Sequence, residues 1–348
     1  MRVRLGGDYG ASSFKPAGFL DNELRFLPNM EVPSRAAEGP AVGLEVIFSA
    51  FERFLDESNI SPSEVESVTL GLAGVLSAPG VLGANPNFGN EAWSRYELAE
   101  AIEQEALVRW SRPLTANLLH DGAALAVYEA HRRGDAFQNL LAITSGTGLG
   151  GGLAMRKPGA AGMPLVLRGA SGRGMEIGHQ AARVDLFLEC NPILAGADPP
   201  ECACGRGHCV ELFGSRALLK WGLPAVLNRV ANHALSQVPA PEAVGRVRDF
   251  AESGDSVCLD LFRAQAFGVG MAAANLNSVA CADTIVVDGG LVNTTPELRE
   301  EVLERIKAGF GLASGVFSHL DPEMTIELAS DRDDRGTACG AALYAGYC

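Results

Sequence analysis

Apolar and polar positions alternate along the chain with two distinct periods. Over residues 41–57 the apolar side chains recur at helical spacing, which predicts an amphipathic helix. Further helices are predicted at 92–109, 215–237, 241–280, 296–310 and 336–347. Short apolar runs beside Gly, Pro or Asn predict buried strands, at Val3–Leu5, Ser67–Ala73, 113–119, Asn139–Ile143 and Asp283–Val287. Strands that alternate with helices indicate an α/β protein with partly parallel sheets.

A strand followed by a glycine-rich turn occurs three times, near residues 5–13, 140–152 and 284–292. The repetition indicates two related halves. The chain has 348 residues, which is enough for more than one domain of about 100–200 residues.

Charge and cysteine usage narrow the class of protein. The formal net charge is −14, which disfavours nucleic acid and anionic membranes as partners. It does not exclude ATP, since backbone N–H groups and Mg²⁺ can hold phosphates. The N-terminus does not read as a secretory signal, and no stretch approaches the roughly 20 apolar residues that span a bilayer. Eight cysteines without an export signal predict a cytoplasmic protein with a metal site.

Two glycine turns are candidates for phosphate binding. The first, from Asp8 through Gly10 to Ser12, follows a strand, and its carboxylate can hold Mg²⁺ through water. The second contains Gly146, Thr147 and Gly148, and its glycines allow close approach to a phosphate chain. It is not a Walker A loop. It matches a dinucleotide fingerprint loosely, but a strand rather than a helix is predicted after it, so an oxidoreductase is a distant alternative.

His120 and Asp121 lie where a predicted strand meets a helix. Local sequence favours a simple N-cap for Asp121. The alternative is a carboxylate at a strand end that takes a proton from a hydroxyl group.

Three thiols within eight residues, Cys202, Cys204 and Cys209, match one side of a tetrahedral zinc site. A fourth ligand is needed, and His179, His208 and Cys190 are the candidates. A site with four protein ligands is structural and has no open position for chemistry. The pair Glu176 and His179 can face one site if the chain around Gly178 is extended.

Taken in order, these motifs resemble the ROK family of sugar kinases and sugar-responsive repressors, over nearly the whole chain. The matching segments are Asp8–Ser12 (the opening Asp-x-Gly-Gly-Thr turn), Ser145–Gly152 (the second phosphate loop), Glu176–His179 with Cys202–Glu211 (Glu-Ile-Gly-His, then Cys-x-Cys-Gly-x-x-Gly-Cys-x-Glu), Val287–Leu291 (the Gly-Gly turn of the adenosine site) and Gly336–Ala342 (the closing helix).

The resemblance implies an actin-like ATPase (ribonuclease H-like) fold with two α/β domains around a cleft. The small domain would hold residues 1–122 and 331–348, and the large domain residues 123–330. It also implies a homodimer and a hexokinase-type or glucokinase-type transfer of the γ-phosphate of ATP to a hexose, with glucose and its 6-hydroxyl as the first choice.

The resemblance further implies roles for individual residues. Asp121 would be the catalytic base, and His179 would complete the zinc site. The residues that contact the sugar would be Asn87, His120, Asp121, Glu176, His179 and Glu211. The residues that contact Mg-ATP would be Asp8, Gly10, Ser12, Gly146, Thr147, Gly148, Gly289 and Gly290.

The chain departs from the family pattern at three points. His120 replaces the usual Asn, His208 replaces a Gly, and Cys202 follows His179 by 23 positions where about ten are usual. Kinases for mannose, fructose, allose or an N-acetylated amino sugar therefore stay open. A non-catalytic sugar sensor is the alternative from another class. The family's repressors carry an N-terminal DNA-binding domain, and the turn at Asp8 is expected to leave no room for one.

Overall fold

The computed structural model describes residues 2–156, 164–169, 173–315, 324–331 and 334–344. The predicted helix 336–347 therefore lies partly outside the described residues. The strands are β1 Val3–Tyr9, β2 Ser13–Leu20, β3 Glu23–Phe26, β4 Val32–Pro33, β5 Val65–Leu72, β6 Leu76–Ala78, β7 Val81–Leu82, β8 Thr115–His120, β9 Asn139–Ser145, β10 Leu149–Met155, β11 Leu165–Val166, β12 Thr284–Asp288 and β13 Thr325–Leu328. The helices are α1 Pro40–Glu57, α2 Leu98–Trp110, α3 Asp121–Arg133, α4 Val184–Cys190, α5 Glu211–Gly214, α6 Arg216–Leu227, α7 Ala240–Glu252, α8 Ser256–Ala280, α9 Pro296–Ser314 and α10 Gly336–Tyr344.

The chain forms two compact units. Unit 1 comprises residues 1–142, 151–175 and 335–348, and unit 2 comprises residues 143–150 and 176–334. This division differs from the predicted boundary near residue 122. The reason is that α3 packs on α10 so closely that a side chain at Gly340 would collide with the backbone of Ala124. Residues 123–142 therefore group with the N-terminal segment.

Unit 1 is built on a sheet with the order β3-β2-β1-β5-β8, and β4 pairs with β2. β1 and β2 form an antiparallel hairpin, whereas β1, β5 and β8 run parallel. The apolar face of α1 covers this sheet with Ile47, Phe51 and Phe54, all fully buried. The predicted helix in residues 41–57 is confirmed.

A second sheet has the order β11-β10-β9-β12-β13. The division between the units falls within β9, after Ala142, and within β10, after Gly150. In unit 2, β12 and β13 pair in parallel. The long helix α8 packs there against α9.

Three predicted helices have clearly different bounds in the structure. The predicted helix 215–237 is shorter, because α6 ends at Leu227 and Asn232 has a positive φ of 59°. Helix α2 begins at Leu98 rather than near residue 92, because a 3₁₀ turn occupies Glu91–Trp93 and Arg95 has a positive φ of 60°. The predicted stretch 241–280 divides into α7 and α8, because Gly254 has a φ of 87° and Asp255 caps the next helix. All three differences come from backbone conformations that a helix does not contain.

Helix α8 corrects the expectation about membrane spans. By length and composition it could cross a bilayer, and it is the one such helix in the part of the chain that the structure describes. Most of its most apolar window, 78%, is buried inside the protein. Such burial is typical of a core helix.

The contact between α8 and α9 depends on glycine. A Cβ at Gly309 would collide with the carbonyl oxygen of Phe267, whereas a Cβ at Gly311 would meet no atom within 4 Å. We predict that Gly309→Ala lowers the free energy of unfolding by about 2 kcal/mol or more, because overpacking forces the helices apart.

The matched control is Gly311→Ala, in the same helix. This change should leave stability unaltered or raise it by up to about 1 kcal/mol, since alanine favours a helix over glycine. Urea unfolding of both variants makes the comparison. Equal effects at the two positions would contradict this account of the α8–α9 contact.

Candidate functional site

The turn after β1 in unit 1 is held by backbone hydrogen bonds. The N–H of Gly10 donates to the carbonyl of Ser13 at 2.9 Å, and Ser12 accepts from the N–H of Ser34 at 3.1 Å. The Asp8 carboxylate lies 3.6 Å from Nζ of Lys15, its partner across the hairpin. Asp8 is partly exposed, so it can hold a hydrated cation.

The carboxyl end of β8 lies at the same sheet edge as Asp8. Asp8 pairs with Gly71 of β5, and Gly71 pairs with Leu119 of β8. His120 and Asp121 follow directly. Because neighbouring strands are about 4.8 Å apart, Asp8 and the end of β8 are separated by two strand spacings, about 10 Å. Unit 1 thus places two predicted site carboxylates at the carboxyl ends of the parallel strands β1 and β8.

Asn87 lies in the 3₁₀ turn Pro86–Phe88 and is exposed. Its neighbour Asn85 is buried instead and donates from Nδ2 to the carbonyl of Ala73 at 2.6 Å. The exposed amide of Asn87 is therefore available to a ligand, while Asn85 fixes the loop.

The glycine turn between β9 and β10 is anchored within unit 2. The Ser145 hydroxyl donates to the carbonyl of Gly214 at 2.8 Å, and Gln265 donates from Nε2 to the same hydroxyl oxygen at 3.1 Å. The carbonyl of Gly146 accepts from the N–H of Arg216, the first residue of α6. The turn therefore sits at a helix N-terminus, an arrangement that favours anions.

A cavity of about 320 Å³ opens beside this turn, within the usual size range of ligand pockets. The predicted residues Gly146, Thr147 and Gly290 line it. Gly148 does not, because it lies against Glu211 instead. Gly289, with a φ of 97°, packs on the backbone of Ser145 and is also absent from the lining.

Most of the lining was not identified from the sequence. Among the residues that were missed, the polar side chains are those of Arg216, Arg248 and Gln265, each on a helix, and of Asp334, and the apolar side chains are those of Leu219, Val244 and Phe262. In the described part of the chain, no carboxylate lies within 4.0 Å of either guanidinium group. The Arg248 guanidinium lies against Gly290, where an ideal Cβ would be 3.2 Å from its Nη2. Arg216, Arg248 and Gln265 come from three different helices and form no local motif, so no sequence signal marks them.

The Glu211 carboxylate lies against two predicted loops. Its Oε2 accepts from the N–H of Leu149 at 3.3 Å. An ideal Cβ would lie 2.9 Å from this oxygen at Gly148 and 3.0 Å from it at Gly178. Since Gly178 precedes His179, unit 2 brings Glu211 and His179 into one region. Glu176 is exposed on the same loop, and its carbonyl accepts from the N–H of His179.

The three predicted thiols and His179 form one cluster, and their ligand atoms all lie within 4.8 Å of one another. Sγ of Cys202 lies 3.6 Å from Nδ1 of His179, and Sγ of Cys204 lies 3.5 Å from Sγ of Cys209. Four ligands around zinc, with Zn–S bonds of about 2.3 Å, would be separated by about 3.8 Å. The donor set and its spacing fit zinc.

The rival ligands lie elsewhere. Nδ1 of His208 is 3.1 Å from the carbonyl oxygen of Pro200, and neither His208 nor Cys190 belongs to the cluster. Burial raises the pKa of Cys202, and it raises the pKa of Cys209 to about 12. Because metals bind thiolates, a cation would have to displace these protons.

The chain matches the model of the ROK family over residues 6–346. It is 26% identical over 319 residues to a glucokinase from Halalkalibacterium halodurans, covering 88% of this chain and 86% of that protein. It is 24% identical over 298 residues to an N-acetylmannosamine kinase from Yersinia pestis, covering 83% of each.

The solved structure of a ROK family glucokinase from Streptomyces griseus, in complex with glucose and AMPPNP, superposes with a TM-score of 0.72. It is 22% identical in sequence, and the match covers 98% of both chains. This likeness confirms the predicted actin-like fold.

Proposed function

The chain belongs to the ROK family, and from that premise we propose that it is an ATP-dependent sugar kinase. The observation that carries the proposal is the Asp121 carboxylate at the carboxyl end of β8. Only its Oδ1 has a contact in the described residues, so Oδ2 is available to take a proton from a sugar hydroxyl. The deprotonated oxygen would attack the γ-phosphate of ATP.

Glucose, phosphorylated at its 6-hydroxyl, is the substrate that we propose first. The support is the glucokinase relative, and the N-acetylmannosamine kinase relative keeps another hexose or amino sugar as the second candidate. We propose that Asn87, Glu176, His179 and Glu211 bind sugar hydroxyls. The support is the proximity of Glu211 to the loop of His179 and the exposure of Asn87 and Glu176.

The cavity in unit 2 is proposed to bind ATP. Leu219, Val244 and Phe262 supply an apolar wall for a base, and the turn at Gly146 supplies N–H groups for phosphates. Arg216 and Arg248, which have no carboxylate within 4.0 Å among the described residues, bring two positive charges to a lining that also holds Asp334. Mg²⁺ would neutralise phosphate charge during transfer, and Asp8 would hold it through water.

Zinc is proposed as a structural ion in the cluster of His179 and three cysteines. When bound, it would fix the imidazole ring of His179 beside the loop that we assign to the sugar. A homodimer and a cytoplasmic location stay predictions.

Kinase activity is tested by coupled ADP release with Mg-ATP and a panel of hexoses and amino sugars. We expect one sugar to be turned over, and Asp121→Asn to lower kcat by about 10²–10⁴-fold, because the general base is lost. Asp56→Asn, on the exposed face of α1, is the matched control and should keep full activity. If sugars raise the melting temperature but none releases ADP, the sensor alternative replaces this proposal.

The nucleotide assignment is tested at Arg248. Replacing its charge by Arg248→Gln should raise the KM for ATP by about tenfold and leave the KM for the sugar unchanged, since a charge-assisted hydrogen bond is removed. The control is Arg246→Gln, two residues away, where the exposed arginine pairs with Glu242 at 3.9 Å. An equal effect of the two substitutions would contradict the assignment.

The zinc proposal is tested by metal analysis of the purified protein. We expect one zinc per chain, and we expect Cys204→Ser to lose it because one of four ligands is removed. Cys204 is exposed, so the substitution leaves the core intact. Cys281→Ser, also exposed but outside the cluster, should retain the metal. Wild-type protein without zinc after chelator-free purification would refute the site.

A further inference from the structure

Residues 180–201 connect two of the proposed zinc ligands, and we call them the connecting segment. The segment begins beside the residues that precede Glu211, since the N–H of Val210 donates to the carbonyl of Gln180 at 2.9 Å. Helix α4 and a 3₁₀ turn at Pro192–Leu194 follow. The proposed function gives this segment no role.

Hydrogen bonds from two arginines anchor the connecting segment on the rest of unit 2. Arg305 of α9 donates from Nη2 to Oδ1 of Asn191 at 3.0 Å, and Arg229, which follows α6, donates to the carbonyl of Ile193. Asn191 is buried and donates from Nδ2 to the carbonyl of Phe187 at 2.7 Å. The part of α4 that carries Phe187 is therefore held in one place.

Phe187 extends from α4 to the short helix α5. Its side chain is fully buried, and its ring centroid lies 4.6 Å from that of Phe213, with the ring planes tilted by 55°. The ring of Phe267 in α8 lies 6.2 Å away. Aromatic pairs at these separations attract each other by more than the burial of their area provides. The connecting segment thus packs on α5 through Phe187.

Helix α5 presents opposite faces to different neighbours. Because successive helical residues are about 100° apart, the side chains of Glu211 and Phe213 point in directions about 200° apart. Phe213 faces Phe187, whereas the Glu211 carboxylate faces the loops of Gly148 and Gly178. Phe187 therefore supports α5 from the side opposite to the carboxylate.

Helix α5 is too short to fix its own orientation. It has four residues, and a single helical turn has little stability without tertiary contacts. Its carboxyl end is fixed by backbone packing, since a Cβ at Gly268 would lie 2.3 Å from the carbonyl oxygen of Phe213. The Glu211 carboxylate at its amino end is held more weakly, because it accepts from the N–H of Leu149 at a distance of 3.3 Å. The orientation of this end therefore depends on the packing behind it.

We propose that the connecting segment positions Glu211 for the sugar, with Phe187 as the positioning residue. Phe187 acts through Phe213 and sets the rotation of α5, so that the Glu211 carboxylate meets the sugar hydroxyls. This inference rests on the proposed role of Glu211 as a sugar ligand. It assigns a function to residues 180–201, whose length departs from the usual family pattern.

The proposal is tested by coupled ADP release, with the sugar of the panel that is turned over fastest. We expect Phe187→Ala to raise the KM for this sugar by about tenfold and Phe187→Leu by about threefold, with the KM for ATP within about twofold of the wild type. The reason is that a smaller side chain lets α5 turn and moves the carboxylate. Phe187→Leu keeps the core apolar and serves if the alanine variant does not fold.

The matched control is Leu194→Ala, in the same segment. Leu194 is also fully buried, but its Cδ2 lies against α6, 3.1 Å from an ideal Cβ at Gly222. This substitution should lower the melting temperature, as Phe187→Ala does, and leave the sugar KM unchanged. Equal changes of the sugar KM in the two variants, or a wild-type sugar KM in Phe187→Ala, would overturn the proposal.

A double-mutant cycle separates positioning from a general structural effect. In a Glu211→Gln background we expect Phe187→Ala to cause no further rise in the sugar KM, because changes that act through one contact are not additive. The same fold-change in both backgrounds would show that Phe187 does not act through Glu211.

Amide hydrogen exchange at Leu149 tests the contact without turnover. We expect Phe187→Ala to raise the exchange rate of this N–H by about tenfold or more, and Leu194→Ala to leave it unchanged, since local exchange reports local contacts. An unchanged rate in Phe187→Ala would refute the positioning role even if the enzyme is active. A wild-type protein that releases no ADP but shows the expected exchange would refute the proposed function alone.

Discussion

The candidate site in unit 1 depends on very close backbone packing at glycine. Helix α10 lies on β1 so closely that a side chain at Gly6 would collide with the backbone of Ala342. Helix α3 lies equally close to α10, and a Cβ at Gly122 would collide with the backbone of Gly151 in β10. Packing at this density leaves almost no freedom for the main chain. Backbone packing alone therefore fixes the position of the strand end next to Asp121.

In unit 2, buried hydrogen bonds rather than close backbone packing fix the position of the glycine turn between β9 and β10. The single proton of the Ser145 hydroxyl goes to the carbonyl of Gly214, so its oxygen must accept, and Gln265 supplies the donor. Both side chains are buried, where an unmade hydrogen bond would cost about 1–3 kcal/mol. This network ties the glycine turn to α5 and α8. Ser145 and Gln265, which also line the cavity, therefore hold the turn in place without adding charge to it.

The sequence was most informative where the chemistry is local. The spacing of Cys202, Cys204 and Cys209 indicated a metal site on its own, and the strand end before Asp121 followed from a short apolar run. The end of β1 did not, because this strand continues through Asp8 to Tyr9, past the predicted end at Leu5. The cavity arginines could not be found in this way, because they approach one another only through the packing of α6, α7 and α8. The start of α2 was misplaced for a related reason. A residue with positive φ, Arg95, interrupts a pattern that otherwise suits a helix.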